Sequence, residues 1–229
     1  MTEDPERPTA AYRPEVYEVK SLKQAMAVIL TPEPGTTTED RWEKETPYVV
    51  DDIDAFLAIQ PDTCVLDYGC GVGRVAKALI ERFGCRVIGV DASQSMRQMA
   101  PEYVLSDRFT VWSPEVMEKM IDKGFRVDCC VCLWVLQHVF DLRKVIDQIA
   151  KILPEGALLY TMNQKVRCVP SSLGYVNDGL DVRSELCRVF SEENLHSPPA
   201  SETSAHLESI TLIQVLRNRA SQAHRPAIE

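Results

Sequence analysis

The sequence predicts an α/β fold built on a doubly wound, mostly parallel sheet, and three observations carry that reading. From Cys64 to Asn163, short apolar runs of strand length alternate with stretches of helical period. The connections between them are short, which calls for parallel strands joined by right-handed crossover helices and covered on both faces. The segment VLDYGCGVGR at residues 65–74 then sets three glycines into five positions directly after an apolar strand. In such a fold that is where strand turns into helix beside the ligand crevice.

Taken in order, residues 1 to about 20 read as a mobile polar arm. SLKQAMAVIL, from Ser21 to Leu30, reads as a short helix, and TPEPGTTTED breaks the chain after it with two prolines and a glycine. Thr36 with Glu39 reads as a capping box that opens a helix through EDRWEKE. Thr46 followed by Pro47 restarts the helix, since proline suits the first helical position. Val49, Val50, Ile53, Phe56 and Leu57 then share one face at the helical period.

CVLDYG is the first strand, and GRVAKALIERFG a helix closed by Gly84. CRVIGVD, RFTVW, VDCCVCLW and ALLYTMN are the next four strands, separated by the helices SQSMRQMA, PEVMEKMIDKG and DLRKVIDQIAKIL. Beyond Asn163, DVRSELCRVFSEENL reads as helix, SPPASETSA as a loop and ESITLIQVLRN as a last strand.

Composition narrows the function classes. The chain has 229 residues, 45% hydrophobic and 26% charged, as in an ordinary globular protein. A formal net charge of −9 argues against a broad nucleic-acid or anionic-membrane surface, because phosphate binding rests on clustered Lys and Arg. No apolar run approaches the roughly 18 residues that span a bilayer. The polar, proline-bearing start lacks the apolar core of a signal peptide, so a cytoplasmic protein is expected. The eight cysteines include no C-x-x-C pair, so their spacing predicts reduced structural thiols and no metal site.

Gly69, Gly71 and Gly73 let the backbone turn tightly and let a ligand approach without a Cβ in the way. Two ligands fit the pattern. Counted from Gly71, GVGRVA satisfies the dinucleotide pattern G-x-G-x-x-A, with Asp91 twenty residues on. Counted from Asp67, the stretch reads apolar, apolar, acid, apolar, G-x-G-x-G. Asp67 favours the second, because a carboxylate two residues before the first glycine suits a ligand with a positive end and repels a pyrophosphate.

VLDYGCGVGR, VIGVDAS, VDCCVCLWVLQHV and KILPEGALLY, in that order, resemble the motifs of class I S-adenosylmethionine-dependent methyltransferases. The resemblance runs from about residue 45 to 164. It implies a seven-stranded Rossmann-like methyltransferase fold, a single domain at 46–220 with an N-terminal arm and helical lid at 1–45 and a tail at 221–229. It also implies S-adenosylmethionine as cofactor and specifies no acceptor. The backbone of Gly69, Cys70 and Gly71 would pass the methionine part of the cofactor, with Asp67 supporting the loop and its ammonium group. Asp91 would accept hydrogen bonds from both ribose hydroxyls, and Ala92 and Met96 would line the adenine pocket. Where the family usually carries an acid for the adenine amino group, this chain has Trp112 and Ser113. Either Ser113 makes that contact or Trp112 supplies a ring. Trp42, in the lid, is expected within contact distance of the cofactor or acceptor.

Methyl transfer from a sulfonium mainly requires that the acceptor be aligned. A base is needed only if the acceptor must first lose a proton. His138 in LWVLQHV is the best-placed base, with packing or capping as its other role, and Leu133 and Trp134 lie at the crevice mouth as contact residues. The chain has no NPPY-like segment after the fourth strand and no PC nucleophile, as nucleic-acid base methyltransferases carry. A small-molecule acceptor follows, with a non-catalytic cofactor- or partner-binding protein as the alternative and a nicotinamide-dependent dehydrogenase third.

Overall fold

A computed structural model describes residues 11–33 and 35–219. Seven strands form the main sheet in the order β3-β2-β1-β4-β5-β9-β8. They are β1 (Cys64–Tyr68), β2 (Arg86–Val90), β3 (Phe109–Trp112), β4 (Cys129–Leu133), β5 (Leu158–Gln164), β8 (Phe190–His196) and β9 (Thr211–Asn218). The pairs among β1 to β5 are parallel, while β9 runs antiparallel to both β5 and β8. The chain leaves β1 toward β2 on one side and returns as β4 on the other. That switch point opens a crevice above the carboxyl ends of β1 and β4.

Helices cover both faces. On one lie α2 (Thr38–Leu57) and α3 (Arg74–Phe83), which bury Val49, Ile53, Val75 and Leu79 against Val65, Val131 and Tyr160. On the other lie α5 (Pro114–Asp122), α6 (Leu142–Ile152) and α7 (Val182–Val189), which bury Met117, Ile146, Ile149 and Leu186. The strongly amphipathic spacing of α6 explains its placement, since Leu142, Val145, Ile146, Ile149 and Ile152 return to one face. Helices α1 (Leu22–Ile29), α4 (Gln94–Val104) and α8 (Ala205–Ile210) border the crevice, and a two-stranded hairpin, β6 (Val169–Ser171) with β7 (Gly174–Val176), pairs beside residues 11–13.

Several local expectations are corrected. Helix α2 runs unbroken through Pro47, and its capping box is Thr37 with Asp40, one residue beyond the expected pair. The run DVRSELCRVFSEENL ends its helix at Val189 and continues as strand β8. The first residues of the expected last strand belong to α8, and β9 starts only at Thr211. Part of the arm read as mobile has defined structure, with a 3-10 turn at Pro14–Tyr17. Residues 1–10 and the 221–229 tail lie outside the described residues.

Under the first turns of the fold sits a buried ionic chain. Arg41 donates from Nε and Nη2 to the two Glu45 carboxylate oxygens (2.6 and 3.0 Å) and from Nη1 to the Thr31 carbonyl (2.5 Å). Arg74, equally buried, donates to Thr46 Oγ1 (3.0 Å) and lies over the Trp42 ring. Burial lowers the Arg74 pKa to about 10, while Glu45 and Asp67 both favour its charge. Removing one partner of such a pair strands a charge in a poorly solvated place. Glu45→Ala should therefore lower unfolding free energy by about 3–5 kcal/mol in urea titration; a loss below about 1 kcal/mol, the worth of an exposed pair, would show that the ionic chain is effectively solvated.

Candidate active site

The loop between β1 and α3 takes left-handed backbone at Gly69, Gly71 and Gly73, with φ of 79°, 56° and 87°. Space demands glycine as well as conformation. A Cβ on Gly69 would sit 2.1 Å from Val135 Cγ2, and one on Gly71 would sit 2.6 Å from Ile29 Cδ1. The amides of Gly69 and Cys70 both donate to the Val90 carbonyl (2.6 and 3.1 Å), which fastens the loop to the end of β2.

Asp91 follows immediately. Its Oδ2 accepts from the Gly71 amide (2.7 Å) and its Oδ1 from the Ser93 amide (2.8 Å). Each oxygen keeps lone-pair capacity for a further donor. Burial raises the Asp91 pKa, opposed by those two amides. Asp67, 3% exposed, stands behind the loop, and its Oδ2 has no hydrogen-bond partner among the described residues. Burial pushes its carboxyl up to about 7, with Arg74 pulling down and Asp91 pushing up.

A cavity of about 930 Å³ opens in front of this loop. Of the residues singled out in the sequence, Gly69, Gly71, Asp91, Ala92, Met96, Leu133 and His138 line it. Asp67 and Cys70 lie in the layer beneath. Trp42 does not reach the cavity, a correction: its indole donates to Tyr103 Oη (3.0 Å) and meets that ring edge-on. Neither does Trp112, which packs edge-on against Phe125, nor Ser113, whose Oγ caps α5 by accepting from Val116 (3.4 Å). Their neighbours Pro114 and Glu115 line the wall instead. The Ser113 hydroxyl holds the Glu115 carboxyl below the ordinary range.

The far end of the cavity is built by the segment after β4. Trp134 adopts left-handed backbone (φ 60°), and its indole N–H is buried with no partner among the described residues. His138 Nδ1 lies 2.8 Å from the Cys168 carbonyl, which can only accept, so Nδ1 carries the proton. Nε2 is then the acceptor, 3.2 Å from Gln137 Nε2. Burial lowers the His138 pKa, so the imidazole stays neutral at neutral pH. The segment is stapled from below by Arg167, whose side chain is fully buried and donates to the carbonyls of Leu136 (2.5 Å) and Val139 (2.6 Å) and to Asp178. Tyr12 and Tyr17 complete this wall; the Tyr12 ring stacks 5.2 Å from Phe140, and the Tyr17 ring lies 5.7 Å from His138. Tyr12, Tyr17 and Arg167 carried no sequence signal, because each reaches the site from a segment without a motif.

A glycine loop at the switch point of a doubly wound sheet, followed by a strand-end carboxylate, defines a Rossmann-like nucleotide-cofactor site. Comparison with known proteins gives the family. The methyltransferase domain model matches residues 41–197, and the chain belongs to that family. The ubiquinone biosynthesis O-methyltransferase of Chelativorans sp. is 29% identical over 108 residues, 46% of this chain and 42% of that protein. Its counterpart from Idiomarina loihiensis is 33% identical over 107 residues, 45% of this chain and 44% of that protein. The matches thus span less than half of these relatives. Among solved structures, a geranyl diphosphate methyltransferase in complex with S-adenosylmethionine has a TM-score of 0.58 at 17% identity, covering 86% of this chain and 94% of that one. A [4+2]-cyclase has a TM-score of 0.59 at 14% identity, covering 76% and 81%. Both show the shared fold.

The Asp67 carboxyl makes a pH prediction. The folded state keeps its proton up to about pH 7, whereas the unfolded chain loses it near about 3.9. Its contribution to stability is therefore full below the unfolded value and lost as pH rises toward the folded one. Urea midpoints of the ligand-free protein should fall between pH 5 and pH 8, and Asp67→Asn should flatten that fall. Equal pH dependence in both proteins would mean that Asp67 is ionised throughout.

Proposed function

We propose that the protein transfers a methyl group from S-adenosylmethionine to a small-molecule acceptor. The observation that carries this is the continuity of the cavity, which runs from Gly69, Gly71 and Asp91 at one end to Tyr17 and His138 at the other. A single space thus joins a nucleoside cradle to a neutral acceptor-side base. The residues fit the cofactor: Asp91 has lone pairs left for two ribose hydroxyls, and the buried Asp67 beneath the loop ionises more readily once positive charge lies in front of it. Glu115, in place of Trp112 or Ser113, takes the adenine amino group at the edge of β3. When bound, the cofactor supplies an electrophilic methyl on a sulfonium.

The rest falls to the chain. Trp134, Tyr12 and Tyr17 orient the acceptor, and where the acceptor is an alcohol or phenol His138 Nε2 takes its proton by exchanging the Gln137 amide for the acceptor hydroxyl. The aromatic wall excludes water and gives electron-rich faces to positive charge. The ubiquinone relatives make an O-methyl product one candidate among small molecules. No described helix is long and apolar enough to cross a membrane, and all eight cysteines are free. Free thiols suit a reducing compartment, so the cytoplasm is the proposed location.

Calorimetric titration should show S-adenosylhomocysteine binding and no response to NAD. Tight NAD binding without a response to S-adenosylhomocysteine would overturn the reading. Transfer itself is tested by incubating the protein with methyl-labelled S-adenosylmethionine and an extract of its own cell. Label in a small-molecule fraction is expected; cofactor binding with no labelled product would favour the non-catalytic alternative. Asp91→Ala should weaken S-adenosylhomocysteine by about 1.5–3 kcal/mol, the worth of hydrogen bonds to a charged group. Unchanged affinity would remove Asp91 from the ribose site.

A further inference from the structure

Residues 11–19, polar enough to read as a loose arm, are tied down at both ends. At one end the Arg13 amide donates to the Pro170 carbonyl (3.1 Å) and the Ser172 amide to the Ala11 carbonyl (2.8 Å), so the arm runs beside the β6–β7 hairpin. At the other, the Val19 amide donates to Ser95 Oγ (2.8 Å). Beside it the Glu18 carboxylate accepts from the amides of Gln94 (2.8 Å) and Ser95 (2.9 Å) in the first turn of α4. Between these anchors the arm crosses the cavity and presents Tyr12 and Tyr17 to it.

The Glu18 contact is not needed to cap α4. Ser93 already does so, accepting from the Met96 amide (3.2 Å). What Glu18 adds is a charge-assisted join between segments 76 residues apart, placed where the helix dipole favours an anion. The seat of that join is the helix start that begins two residues after Asp91. Ser93 belongs to both systems, donating its amide to Asp91 and lying 3.1 Å from Ser95 Oγ, which in turn holds Val19.

We propose that Glu18 is a positioning residue that locks the arm across the cavity. Locked, the arm sets Tyr17 against His138 and Tyr12 against Phe140, completing the acceptor wall. Because the lock holds the Gln94 and Ser95 amides, directly after the Ser93 amide that binds Asp91, a cofactor seated on Asp91 and a closed arm stabilise each other. The acceptor wall is then held more firmly over a bound cofactor than without one. This coupling rests on the cofactor reading above; the lock itself does not.

The test compares the wild type, Glu18→Ala and Glu18→Gln by hydrogen exchange and by stopped-flow release of S-adenosylhomocysteine. In Glu18→Ala, exchange across residues 11–19 should rise about tenfold, with β1 and β5 unchanged. S-adenosylhomocysteine should leave about tenfold faster. Glu18→Gln, which keeps one acceptor oxygen, should fall between. In the wild type S-adenosylhomocysteine should slow exchange in the arm, and in Glu18→Ala it should not. Wild-type exchange across 11–19 in Glu18→Ala, or an equal rise in β1 and β5, would overturn the lock. If the wild type does not bind S-adenosylhomocysteine, the cofactor reading and the coupling fail together, and exchange of the free proteins alone decides the lock.

Discussion

Three left-handed residues within five positions are the constraint on which the site depends. An L residue with a side chain pays about 1–2 kcal/mol for that backbone at each position, so the turn from β1 into α3 is open only to glycine. With the Cβ atoms gone, Val135 from the segment after β4 and Ile29 from α1 can lie against the loop itself. The β2 end fastens to the same peptide run through the Val90 carbonyl and the Asp91 carboxylate. Three separate chain segments therefore take their positions from one turn. The nucleoside cradle and the acceptor wall are both referred to it.

Electrostatics reinforce the arrangement. Arg41, Glu45, Arg74 and Asp67 form an alternating series of buried charges between α2 and the loop. Desolvation alone would discourage each, and proximity to an opposite charge makes each tolerable. The end member, Asp67, is the least compensated, with one oxygen unpartnered among the described residues and a raised pKa. A positively charged ligand in front of the loop would favour its ionised form. Cation binding in front of the loop and loss of the Asp67 proton are thus linked.

How legible was this in the residues themselves? Strands β1 to β5 and the loop were, because burial on both faces writes continuous apolar runs, and glycine spacing marks the turn. The placement of Asp91 was legible for a similar reason, since a lone acid ending an apolar strand next to the loop falls at the cavity edge. Strand β8 was not. FSEENLH is an edge strand rich in glutamate, and its pairing with β9 and ion pairs to Arg183 and Arg217 override local helix preference. Pro47 misled in the opposite sense, since the helix carries on through it and Thr46 Oγ1 bonds the Trp42 carbonyl (2.5 Å). Trp42 looked like a lid residue by position, and Tyr103 and Arg74 claim it instead. The acceptor wall was the least legible part, because Tyr12, Tyr17 and Arg167 arrive from segments whose local sequence has no reason to mention the site.

The strained residue after β4 has an optical consequence. The chain contains three tryptophans, and two are spoken for: Trp42 by the Tyr103 hydroxyl and Trp112 by the Phe125 ring. Trp134 alone faces the cavity, and its left-handed backbone fixes where the ring can point. Indole emission shifts with local polarity and with the partner of its N–H, so the colour of the protein's intrinsic fluorescence is weighted toward events in the cavity. The molecule carries its own chromophoric gauge of occupancy, set in place by the backbone geometry that shapes the wall.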